Sequence, residues 1–204
     1  ILNENSPFNI ASFNLGYFET KRAAEELVRE AVWRGEIDAV ILNPSTIYGP
    51  ADAKKVSRKV QVKVARGEFP YYTHGGVNVI AVQDAVEGIL AAWKKGKSGE
   101  RYILCGQNLY IHELFRFIAE AAGQPAPKRA LPTWLVFLVG TFGDLREKFG
   151  ASSSLSLENA RTSTMYHWFD NSKARRELGL IPRPAKEAVA ASVKWMKENG
   201  MLDK

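Results

Sequence analysis

Residues 17–50 read YFETKRAAEELVREAVWRGEIDAVILNPSTIYGP, and this stretch decides the fold. Ala23, Ala24, Leu27, Val28, Ala31 and Val32 recur at helical spacing. They predict a helix from about Tyr17 to Arg34, with Gly35 placed to end it. Ile37-Asp38-Ala39-Val40-Ile41-Leu42 follows as a short apolar run rich in β-branched residues. It predicts a strand buried on both faces, as in a parallel sheet, and helix followed by buried strand is half of a βαβ unit. Pro44 has no amide hydrogen, which predicts that the strand stops there and that 43–50 is a loop. Ligands of open α/β sheets meet the C-terminal ends of strands, so a ligand is expected at this loop. Its Pro and Gly residues fit a plain strand-ending turn equally well.

Within the predicted helix, Tyr17 and Lys21 stand at i and i+4 and share a face. A free phenol, with a pKa of roughly 10, is a poor base at neutral pH, and a nearby cation favours its ionised form. Such a pair can pass a proton to and from an alcohol oxygen while a cofactor carries the hydride. Taken alone, the spacing is also that of a surface helix with a solvent-facing lysine.

Composition narrows the class. Apolar residues make up 46% of the 204 and charged residues 25%, the balance of a soluble globular protein with a proper core. The single cysteine, Cys105, excludes an internal disulfide framework and points to a reducing, cytoplasmic setting. Three histidines without close spacing give no metal pattern. No run approaches the roughly 20 apolar residues of a membrane span. A net charge of +6 permits an anionic partner. The most basic element, a predicted helix over 52–66 with Val56, Val60 and Val64 on one stripe, carries no aromatic for base stacking. It reads as a solvated face, so neither nucleic acid nor membrane is expected as a partner.

Further along, strands are predicted at 77–82 and 101–105, with Phe69 to Gly76 as a loop. Asp84 is placed to cap a helix over 85–95. Helices are predicted at 111–122, closed by Gly123, at 134–149, within 151–164, at 172–178, stopped by Gly179, and at 184–199 with Val189, Val193 and Met196 inward.

Taken in order, Glu4…Pro7, Tyr17-x-x-x-Lys21, Asn43-Pro44…Gly49-Pro50, Val79…Val82-x-Asp84, Gly99-Glu100-Arg101-Tyr102 and Asp170-x-Ser172-Lys173-Ala174…Glu177-Leu178-Gly179 resemble the extended short-chain dehydrogenase/reductases. This is the NAD-dependent epimerase/dehydratase family, and the chain looks most like its dihydroflavonol 4-reductase group. The resemblance implies an α/β fold, the C-terminal part of a Rossmann-type doubly wound parallel sheet with a smaller, mainly helical substrate domain. Residues 1–50 and 76–105 would end the dinucleotide-binding domain, and 51–75 with 106–204 would form the substrate part. Tyr17 would be the proton donor or acceptor, Lys21 would hold the nicotinamide ribose, and Pro44, Ser45, Thr46 and Ile47 would line the nicotinamide of NADP or NAD. Asp84 and the 170–179 segment would be structural. Family relatives pair the tyrosine helix across a twofold axis, which implies a homodimer through 17–34.

The pattern departs from the family at two places. No glycine-rich dinucleotide turn occurs in the 204 residues, and the serine or threonine of the family's catalytic set has no counterpart. The expectation is therefore a C-terminal portion that binds dinucleotide poorly by itself. The arginine with which sugar-nucleotide enzymes meet the diphosphate is replaced by Gly75-Gly76-Val77-Asn78. That favours a reductase of a small carbonyl substrate over a sugar-nucleotide epimerase or dehydratase, with a non-catalytic binding relative as the third reading.

Overall fold

A computed structural model describes residues 1–13, 15–52, 58–148 and 156–203. The tyrosine helix, α1, spans Gly16–Trp33, and the chain turns at Gly35 (φ 71°) into β1, Ile41–Pro44. After Ser45 the backbone stays extended through β2, Thr46–Tyr48. There follow α2 (Arg58–Ala65), β3 (Tyr71–Tyr72), β4 (Gly76–Ala81) and α3 (Val82–Lys95). Next come β5 (Arg101–Leu104), β6 (Gln107–Tyr110), α4 (Ile111–Ala122) and β7 (Arg129–Ala130). The chain closes with α5 (Thr133–Lys148), α6 (Leu157–Thr164), α7 (Ser172–Leu178) and α8 (Ala185–Glu198).

β1 and β5 pair in parallel, Ile41 opposite Arg101 and Pro44 opposite Leu104, as a βαβ unit requires. The strand begins later than its apolar run suggests, and it includes Pro44. Ile41 and Ser45 donate their N–H groups to Glu100 and Leu104. By alternation the nitrogen of Pro44 points to the other edge, where among the described residues no strand pairs, so its missing hydrogen costs nothing. For the same reason β1 is half-buried to exposed rather than buried on both faces. The predicted loop at 43–50 is largely strand: β2 pairs in parallel with β4, and β4 pairs antiparallel with β6. β3 and β7 form a small parallel pair.

Two cores follow from these sheets. Tyr102 and Leu104 on one face of β5 pack with Ile80 against Ala85 and Ala92 of α3 and Ala174 and Leu178 of α7. Val77 and Val79 of β4 and Leu109 of β6 pack with Leu114 and Ile118 of α4 and Val189 and Val193 of α8. The inward stripe expected for the last helix is buried, Val189 and Val193 at 0% and Met196 at 2% exposure.

Asp84 is not a cap. The N-cap of α3 is Ala81, without a side-chain bond, and Asp84 lies inside the first turn. Its buried carboxylate accepts the backbone N–H of Arg183 at 2.7 Å and the guanidinium of the same residue, which also reaches Glu87. It ties the segment before α8 to α3, a structural task different from the one its position suggested. Among the described residues no helix is long and apolar enough to cross a membrane, and no cluster of His, Cys, Asp and Glu could hold a metal ion.

Candidate active site

Leu15, 1% exposed, anchors the start of α1, and Thr20 donates its hydroxyl back to the Gly16 carbonyl. The first turn then projects Tyr17 outward, 64% exposed, with the Lys21 ammonium 5.8 Å from its ring centroid. The phenol and the ammonium are therefore neighbours on one open helix face, as the spacing predicts. Phe18 turns to the other side. Its ring stacks parallel on His167 at 6.1 Å and meets Tyr17 edge-on at 5.5 Å, which steadies the ring that carries the phenol.

Two turns along the Tyr17–Lys21 face stands Glu25. Its carboxylate accepts from Arg101 Nη1 at 2.9 Å and from Asn43 Nδ2 at 3.3 Å. Asn43 and Arg101 share one face of the β1–β5 pair, and Asn43 immediately precedes Pro44. Glu25 therefore sets the tyrosine face of α1 against the C-terminal end of β1. Glu25→Leu should lower stability by about 1–2 kcal/mol, since it leaves Arg101 and Asn43 without this acceptor. Thermal unfolding followed by circular dichroism measures it, and an unchanged midpoint would show that the helix is held otherwise.

Pro44 ends β1 in an exposed position, and Ser45 crosses to β2, where Thr46 and Ile47 are half-buried. The Ser45 hydroxyl is not free to meet a ligand. It donates to Asn78 Oδ1 at 2.7 Å, and the same oxygen accepts from the Gly106 N–H at 2.9 Å. Asn78 Nδ2 donates to Asn108 Oδ1 at 2.7 Å and to the Gly106 carbonyl at 3.3 Å. Asn78 is 0% exposed. Its amide thus clips together the points where β1 passes into β2 and β5 passes towards β6. Asn108 continues the network by donating to the Phe169 carbonyl and accepting the Phe169 N–H.

Sequence reasoning missed both Glu25 and Asn78. The signal for Asn78 was present as a lone amide inside the apolar strand Val77 to Ala81. Two other groups with chemical potential stay silent. Burial, with Asp52 nearby, raises the Tyr48 phenol above its ordinary range, and burial beside Asp170 and Glu4 pushes the Cys105 thiol up to about 12. Both are neutral at physiological pH. The Tyr17 phenol, by contrast, lies open beside a cation.

Residues 3–105 match the model of the NAD dependent epimerase/dehydratase family. The chain is 35% identical over 195 residues to a protein of Synechocystis sp. named "Putative dihydroflavonol 4-reductase", covering 91% of the chain and 56% of that relative. It is 31% identical over 206 residues to sterol demethylase protein B of Methylococcus capsulatus, covering 97% of the chain and 62% of that relative. The chain thus spans little more than half the length of these relatives. Among solved structures, a nucleoside-diphosphate-sugar epimerase of Pseudomonas aeruginosa superposes with a TM-score of 0.81 at 29% identity, over 98% of this chain and 61% of that one.

Proposed function

The chain belongs to the NAD dependent epimerase/dehydratase family, and from that premise we propose that the protein is an NAD- or NADP-dependent oxidoreductase acting on a small carbonyl or alcohol substrate. The observation that supports this reading best is the open Tyr17–Lys21 pair, held by Glu25 against the end of β1. A bound nicotinamide would supply or accept the hydride. Tyr17 gives its phenolic proton to the carbonyl oxygen as it becomes an alcohol, or takes it back in the reverse direction. Lys21 would hold the ribose hydroxyls through its ammonium, which stands beside the Tyr17 ring. Pro44 to Ile47 form the wall at the strand ends, kept in place through Ser45 and Asn78. The donor set fits a ribose and a nicotinamide, with cationic and hydroxyl donors on one side and a Pro- and Ile-bearing strand end on the other.

The likeness to a solved sugar-nucleotide epimerase supports a second reading, an epimerase or dehydratase of sugar nucleotides. The stretch before Val79 argues against it. A Cβ on Gly75 would lie 2.6 Å from the Ser163 carbonyl oxygen, and one on Gly76 would lie 2.3 Å from the Trp168 indole nitrogen. Val77 and Asn78 are buried at 9% and 0% exposure. No long cationic side chain has room there to meet a diphosphate. A panel of carbonyl compounds and nucleotide sugars, screened with the intact protein for NAD(P)H consumption, separates the readings. Consumption with a carbonyl compound supports the reductase. Interconversion of a nucleotide sugar alone overturns it, and dinucleotide binding without turnover of either class points to a non-catalytic relative.

The same reading includes a homodimer through α1, which exposes Leu27 at 66% on one side and Trp33 at 87% on another. Light scattering of the intact protein should give twice the chain mass, and Leu27→Glu/Trp33→Glu should give the single mass. A monomeric wild type would contradict it.

A further inference from the structure

Residues 165–169 cross the start of β4 as an extended segment that bridges Gly76 at Tyr166 and Leu2 at Phe169. The Gly76 N–H donates to the Met165 carbonyl at 3.0 Å, and the His167 N–H donates to the Gly76 carbonyl at 2.9 Å. Tyr166 and Trp168 close over Gly76, where a Cβ would lie 2.8 Å from the Tyr166 ring, and the Trp168 indole donates to the Leu109 carbonyl at 3.0 Å. Side chains alternate along extended backbone, so His167 lies on the other side of the segment. There its Nε2 stands 3.1 Å from the Thr162 carbonyl. A carbonyl only accepts, so Nε2 donates, and the bond fixes the plane of the imidazole. The Phe18 ring lies parallel to that plane within 1°, at 6.1 Å between centroids, and Tyr17 meets Phe18 at 83° and 5.5 Å. Both pairs fall in the range of about 4.5–7 Å at which rings attract.

Little else among the described residues steadies the first turn of α1. The helix has no fully buried side chain there, and Tyr17 is 64% exposed. Buried Leu15 and the bond from Arg161 Nη1 to the Phe13 carbonyl, at 2.7 Å, hold the backbone before the helix, and Glu25 holds it two turns along. The direction of the phenol is left to the rings. We infer that His167 is a positioning residue for Tyr17, acting through Phe18. The inference rests on the oxidoreductase reading above: the hydrogen-bonded imidazole sets the Phe18 ring, and Phe18 sets the direction from which the phenol meets the substrate oxygen. A phenol that swings aside no longer passes its proton along a short, aligned path. Dinucleotide binding does not depend on that direction, so the loss falls on turnover and spares affinity.

The test uses the intact protein with His167→Leu, which fills the space without ring or donor, and His167→Phe, which restores the ring alone. With the carbonyl compound that the wild type turns over best, His167→Leu should lower kcat by about ten- to a hundredfold, the cost of a misdirected reacting group, while the dinucleotide Kd stays close to wild type. His167→Phe should recover most of that loss. Phe18→Leu should match His167→Leu, and the double variant should lose no more than either alone, because both act along one path. Ring placement is read separately, by replacing Tyr17 with 3-fluorotyrosine and recording fluorine NMR. His167→Leu should shift this resonance, and His167→Phe should bring it back. Wild-type kcat in His167→Leu, an unmoved resonance, or equal losses in His167→Leu and His167→Phe overturns the inference. A wild type that turns over no carbonyl compound overturns the oxidoreductase reading, and the fluorine resonance then still decides whether His167 sets the Tyr17 ring.

Discussion

Asn78→Ala should cost about 3–5 kcal/mol of stability, because a single buried amide serves several partners at once. Its removal leaves the Ser45 hydroxyl and the Gly106 N–H without this acceptor beside a fully buried position, while Asn108 keeps its bonds to Phe169. Each buried polar group so orphaned costs about 1–3 kcal/mol, and the vacated volume adds a cavity term. Asn78→Asp is the sharper variant. It keeps the shape and the acceptor for Ser45 and Gly106 but sets a carboxylate against the Asn108 oxygen, so it should destabilise unless Asn108 turns its amide. Urea unfolding of each variant against wild type gives the numbers. A loss below about 1 kcal/mol for Asn78→Ala would show that water or rearrangement satisfies the network.

Tyr17→Phe in the intact protein should lower turnover by about 10²–10⁴ while dinucleotide affinity stays close to wild type. Phenylalanine keeps the edge-on contact with Phe18 and removes only the oxygen proposed to move the proton. Lys21→Met should reduce both affinity and turnover, since the proposed hold on the ribose both binds the dinucleotide and places its nicotinamide. The two variants therefore separate in a plot of kcat against Kd, where Tyr17→Phe moves along one axis and Lys21→Met along both. Steady-state rates beside a fluorescence titration with NADPH and NADH make the measurement. Wild-type turnover in Tyr17→Phe would end the catalytic role of the phenol.

Much of this fold was legible from local signals. The boundaries of α7 came directly from the sequence because Gly179 supplies the left-handed residue that closes it, at φ 80°. The parallel setting of β1, beside β5, agrees with the apolar run that follows α1, although that strand is half-buried to exposed. The failures were non-local. Pro44 reads as a stop, yet among the described residues no strand pairs with the edge its nitrogen faces, so the missing donor leaves no ladder bond unmade. Residues 43–50 read as a loop, yet most of them are strand, and Asn78 ties Ser45 to Gly106 across the two strand ends. Asp84 sits where a cap is favoured, and only its partner Arg183, far along the chain, shows its use. The Tyr17–Lys21 pair was visible as spacing alone, whereas Glu25, which orients it, depends on a contact with Arg101 that no local pattern announces.

The central claim is net hydride transfer at the Tyr17–Lys21 face, and isotope transfer tests it most directly. NADPH and NADH deuterated at the transferable nicotinamide C4 position are incubated with the intact protein and the carbonyl panel, and products are read by mass spectrometry. The account predicts an alcohol carrying one deuterium on the former carbonyl carbon, formed by wild type and nearly absent with Tyr17→Phe. A nucleotide sugar interconverted without deuterium from the added cofactor, or an equally labelled alcohol from Tyr17→Phe, would contradict it.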